Sequence, residues 1–119
     1  MRAAAPDGHP APVASRQPRG GHAVFAGDLP AAQSAVLGAS QRPVAAAAFD
    51  EPNGAPAWKT LPSWAVVSTG DKAAGADVTL MMAKRANAQI TEIDGSHLIM
   101  VSQPRVVADV IHAALKAVG

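Results

Sequence analysis

The sequence predicts an α/β fold built on a short parallel β-α-β unit, and three observations predict it. Trp64 to Thr69 (WAVVST) is an apolar, β-branched run of the kind found in strands buried on both faces. Val78, Met81, Met82 and Arg85 then recur at i, i+3, i+4 and i+7, which is one face of a helix. Gln89 to Ile93 (QITEI) reads as a second short strand. A strand, helix and strand over roughly thirty residues make a crossover that joins parallel strands in a right-handed sense.

Residues 1–22 are rich in Pro, Gly, Ala and Arg and hold one Val as their only large apolar side chain after Met1. Such a segment cannot bury enough apolar area to offset its ordering entropy, and it reads as a disordered tail. It lacks the apolar stretch of a secretory signal, so a cytoplasmic location is expected. Arg2, Arg16 and Arg19 are too scattered for a nucleic-acid patch. His9 and His22 could bind a metal but read as solvated tail residues.

Residues 23–62 read as a cap-like helical segment and loop. Pro30 can open a helix and Asp28 can cap it. Ala31 to Ser40 follows, with Ala32, Ala35, Val36 and Ala39 on one face, and Gln41-Arg42-Pro43 ends it. Val44 to Phe49 reads as a second short helix or a turn of one. Asp50 to Pro62 is a loop, punctuated by Asn53-Gly54 and prolines. Trp58 and Trp64 are expected in the packing rather than on a ligand.

Residues 63–119 hold the predicted β-α-β unit and a last helix. The first strand ends at Gly70-Asp71. Asp77 is a plausible N-cap for the helix, and Asn87 suits its end. The second strand closes in Asp94-Gly95-Ser96-His97. Ser102 can cap the last helix and Pro104 fits its first turn. Val106, Val107, Val110, Ile111, Ala114 and Val118 form its apolar stripe, with Asp109, His112 and Lys116 outside it.

The topology places chemistry at one edge. Asp71 follows the C-terminal end of one strand and His97 that of the next. In a parallel sheet those ends share an edge, about 4.8 Å apart, and that edge is where open α/β sheets carry their sites. A carboxylate that orients an imidazole is part of an acyl-transfer triad. His97 is the expected general base and Asp71 its orienting acid. Asp77 and Asp94 are the rivals for the acid. Asp77 is better explained as a helix cap, and Asp94 is too close in sequence to reach round to the imidazole.

Composition excludes several other classes. At 119 residues the chain is one small domain at most. It is 49% hydrophobic but only 3% aromatic, and the Ala-rich apolar fraction buries little area per residue. A net charge of +1 gives no electrostatic case for nucleic acid or an anionic membrane. The absence of Cys removes disulfides, thiol catalysis and Cys-ligated metals. No apolar run approaches the roughly twenty residues of a membrane span. No zinc, EF-hand or phosphate-loop motif is present, and no cofactor is expected.

Three segments carry a resemblance: FAGDLPAAQSAVLGASQRP, AWKTLPSWAVVSTGD and MMAKRANAQITEIDGSHLIMVSQPRVVADVI. From about Phe25 onward the chain resembles the C-terminal part of an α/β-hydrolase-fold protein of the esterase and hydroxynitrile-lyase-like branch. The resemblance implies an incomplete α/β-hydrolase fold: cap helices, then a parallel β-α-β unit and a C-terminal helix that packs on a wider sheet in the full fold. It also implies a Ser-Asp-His triad acting on an ester or similar carbonyl substrate, with Asp71 and His97 as acid and base. Where the family has an apolar residue and a proline after the acid, this chain has Lys72-Ala73-Ala74-Gly75-Ala76.

The triad's serine belongs in G-x-S-x-G ahead of the acid, and the chain has no such motif. Gly38-Ala39-Ser40-Gln41-Arg42 is nearest but lacks the second Gly and a strand before it. Ser68 lies within a strand and Ser96 beside His97. The expected molecule is therefore a hydrolase portion without its nucleophile-bearing half, inactive alone and prone to self-association or to pairing with a partner chain. The alternative is a non-catalytic remnant or interaction module.

Overall fold

The computed structural model describes residues 13–14 and 20–119. His9, the scattered arginines and most of the tail lie outside the described residues. Strand β1 (Val13–Ala14) is described, and so is helix α1 (Gly21–Phe25), which begins within the predicted tail. Helix α2 (Ala31–Ala39) follows, then strand β2 (Val44–Ala45), which pairs antiparallel with β1. A 3-10 turn spans Ala46–Phe49 and another spans Ala57–Lys59 within the loop.

The predicted β-α-β unit forms. Strand β3 (Trp64–Ser68), helix α3 (Ala76–Arg85) and strand β4 (Gln89–Ile93) follow in order. The strands run parallel, with Trp64 opposite Gln89 and Ser68 opposite Ile93. They form a two-stranded sheet among the described residues. The short helix α4 (Ile99–Ser102) and the long helix α5 (Pro104–Val118) close the chain.

The local reasons differ from the predicted ones at three helix starts. Helix α3 starts after Gly75, whose φ of 90° is open to glycine and costly for other residues. Asp77 makes no capping bond and sits in the first turn, where its charge suits the helix dipole. Helix α2 follows Pro30 without a side-chain cap, and Asp28 bonds elsewhere. Gln103, not Ser102, precedes α5, with Pro104 at its first position as predicted. Asn87 ends α3 as expected, in the left-handed conformation with φ 52°.

The buried face of α3 is also rotated from the predicted one. Ala83 is buried and Leu80 half-buried, while Val78, Met81 and Met82 are exposed. The buried position is thus the small Ala83, and the more apolar stripe turns outward. On α2 the stripe of Ala32, Ala35, Val36 and Ala39 is exposed. On α5 Val106, Val107 and Val110 are half-buried, whereas Ile111, Leu115 and Val118 are exposed. Ala26, Leu29, Val67, Ala83 and Ile99 make up the buried apolar core of the described residues. Phe25 and Asp28, beside the buried Ala26 and Leu29, tie the N-terminal segment to the turn that follows β4, through the hydrogen bonds described next.

Candidate active site

The two turns that follow β3 and β4 meet. Gly70 and Gly95 approach so closely that a Cβ on Gly70 would stand 2.5 Å from the Gly95 carbonyl oxygen. Thr69 N–H donates to Ile93 O at 2.9 Å and extends the ladder one residue beyond β3. This carries Asp71 and His97 to the same sheet edge. Asp71 Oδ2 lies 2.8 Å from His97 Nδ1, across 26 positions of sequence.

Asp71 is held from two sides. Its Oδ1 accepts the backbone N–H of Ala73 at 2.8 Å and of Ala74 at 3.0 Å. A proline at either position would remove a donor, so the Lys72–Ala76 sequence supplies a turn that grips the carboxylate. Burial by itself raises the Asp71 carboxyl pKa; the bonds from His97, Ala74 and Ala73 outweigh it and hold the pKa below its ordinary value. The Asp71 side chain is 6% exposed and that of His97 36%. The acid is thus sealed while the imidazole reaches solvent. Among the described residues nothing hydrogen-bonds His97 Nε2. With Nδ1–H donated to Asp71, Nε2 carries the free lone pair of a base.

A second carboxylate supports the same turn from its backbone. Asp28 Oδ2 accepts Ser96 N–H at 2.9 Å and the Ser102 hydroxyl at 2.7 Å. Phe25 O accepts Leu98 N–H at 3.0 Å, and the Phe25 ring meets the His97 ring edge-on at 5.3 Å. Burial alone raises the Asp28 pKa; the bonds from Ser96 and Ser102 outweigh it and lower it. Sequence reasoning missed this role, because the partners lie 68 and 74 positions away.

Beside these turns runs an open cleft of about 300 Å³, lined by Asp28, Gly70, Lys72, Asp94, Gly95 and Ser96 among others. The rival acids take no part in the pair: Asp94 offers its backbone carbonyl to Gln103 Nε2 at 2.6 Å, and Asp77 sits in α3.

The serines named from sequence do not approach an activated geometry. Ser40 donates to Leu37 O at the end of α2. Ser96 Oγ accepts Leu98 N–H at 3.3 Å. Ser68 Oγ is buried without a partner among the described residues. A second histidine–serine pair, not foreseen from sequence, joins His22 Nδ1 to Ser34 Oγ at 2.8 Å. Ser34 gives its own proton to Ala31 O, so it accepts from His22 and is not activated by it. No group of three or more His, Asp or Glu suited to a metal ion occurs among the described residues. No described helix is long and apolar enough to cross a membrane. Trp58 packs at the end of α3, with Arg85 at 5.7 Å and Lys59 at 5.9 Å from its ring centre.

Comparison with known proteins gives one finding. The model of the alpha/beta hydrolase family matches residues 1–110. The match begins upstream of Phe25, where the sequence resemblance starts. No curated protein and no solved structure matches the chain significantly.

Proposed function

The chain belongs to the alpha/beta hydrolase family, and on that premise we propose that Asp71 and His97 are the acid and base of a serine-type site for an ester or similar carbonyl substrate, of the esterase-like branch. The observation that carries the reading is the 2.8 Å contact between Asp71 Oδ2 and His97 Nδ1 at the C-terminal ends of adjacent parallel strands.

In this reading His97 Nε2 takes the proton of a serine hydroxyl as its oxygen bonds to the substrate carbonyl carbon. Asp71 stabilises the imidazolium through Nδ1–H. The imidazolium then gives its proton to the departing alkoxide, and a water attacks the acyl-serine by the same route. The serine belongs to a G-x-S-x-G elbow, which these 119 residues lack. In this reading the elbow and the oxyanion donors would have to come from outside these 119 residues.

The test is hydrolysis of p-nitrophenyl acetate. The 119-residue chain is expected to show no turnover above background. The DNA upstream of Met1, read in frame, is expected to encode a strand followed by G-x-S-x-G. The product carrying both parts is expected to turn over the ester and to lose that turnover in His97→Ala. Turnover that survives His97→Ala sinks the assignment.

A second reading is a non-catalytic interaction module. The exposed Val78, Met81 and Met82 of α3 favour it. An upstream frame without an elbow, with no turnover in any product, would select it.

A further inference from the structure

We propose that Asp28 is a positioning residue for His97: its carboxylate locks the His97 turn from the backbone side, opposite Asp71. The inference rests on the assignment of His97 as the base and adds a residue that the triad does not include.

Three observations carry it. First, a single oxygen, Asp28 Oδ2, spans both ends of the segment that holds His97. It accepts the Ser96 N–H, in the residue before His97, at 2.9 Å, and the Ser102 hydroxyl at 2.7 Å. Fixing both ends of a short segment removes most of its freedom to swing. Second, the same N-terminal segment touches the turn again through Phe25. Its carbonyl accepts Leu98 N–H at 3.0 Å, and its ring lies 82° from the plane of the His97 ring. The residues on either side of His97 are thus bonded to Phe25 and Asp28, while the imidazole itself bonds to Asp71. Third, Gly95 leaves the space for this approach. A Cβ there would stand 2.9 Å from Asp28 Oδ2.

Charge is compatible with the role. Asp28 accepts bonds as a carboxylate, and such bonds are roughly twice as strong as neutral ones. A misplacement of about 1 Å in a catalytic group can cost about a hundredfold in rate, so a lock on the base's backbone bears on chemistry.

The experiment measures the tautomer of neutral His97 by long-range ¹H–¹⁵N NMR on the full chain. Wild type, Asp28→Ala, Asp28→Asn and Ser102→Ala are compared, with near-UV circular dichroism to monitor folding. Asp28→Ala is expected to populate a mixture of tautomers, because the loosened turn no longer aims Nδ1–H at Asp71. Asp28→Asn keeps an oxygen that can accept both bonds, and it is expected to stay in the Nδ1–H form. A folded Asp28→Ala with wild-type tautomer overturns the proposal, as does an equal loss in Asp28→Asn. If Asp28→Ala does not fold, Ser102→Ala decides: a measurable Nε2–H fraction is expected, and none overturns the lock. An Nε2–H tautomer in wild type would instead sink the assignment of His97 as the base, whatever the Asp28 variants show.

Discussion

Gly70 and Gly95 pack backbone to backbone at the ends of the two parallel strands, and a Cβ on Gly70 would meet the Gly95 carbonyl oxygen at 2.5 Å. Backbone atoms cannot step aside as a flexible side chain can. Gly70→Ala must therefore push the two turns apart, and the turns carry Asp71 and His97. Overpacking of this kind typically costs about 1–3 kcal/mol. Chemical denaturation should show a loss in that range, with the Asp71–His97 bond weakened in the NMR spectrum. An unchanged midpoint would mean that the turns are not in contact.

Asp71 predicts a pH dependence. Its folded pKa lies below the ordinary value, so the unfolded chain binds the proton first as pH falls. The stabilisation is fully present above the unfolded carboxyl pKa of about 3.9 and is lost as pH falls through the lower folded value. Asp71→Asn should be less stable than wild type at pH 7 by about 1–3 kcal/mol, as expected for losing charged hydrogen bonds in a buried site. The gap should shrink toward pH 3. Urea titrations of both proteins across that range measure it, and a gap independent of pH would contradict a held carboxylate.

Much of this arrangement is legible in the sequence, because it rests on runs and periods. The apolar run at Trp64 and the short QITEI segment set both strands, and Gln89–Ile93 has the predicted bounds. The strand ends then fix where Asp71 and His97 fall. What is not legible depends on long-range contact. Local rules assign Asp28 and Ser102 each to a neighbouring helix, yet the two bond to each other across 74 positions. Nor does periodicity say which stripe of α3 faces the sheet. The richest stripe, Val78, Met81 and Met82, is exposed, and the small side of the helix, at Ala83, is buried.

The exposed stripes predict association. Met81 and Met82 on α3, with Ile111, Leu115 and Val118 on α5, leave large apolar side chains in solvent, and β3 and β4 pair only with each other among the described residues. Contiguous apolar surface and open strand edges drive self-association. Sedimentation velocity of the purified chain should show concentration-dependent species, reduced in the Met82→Lys, Ile111→Lys double variant. A wild-type monomer at every concentration, with a sharp cooperative melt, would contradict this.

On the proposed assignment, Asp71 fixes His97 with its proton on Nδ1 and leaves Nε2 free as a base. The tautomer of His97 tests it on this chain alone, without a nucleophile. Long-range ¹H–¹⁵N NMR of the neutral imidazole should show the Nδ1–H form in wild type and a shift toward Nε2–H in Asp71→Asn. Neutral His97 found as Nε2–H in the wild-type chain would contradict the account.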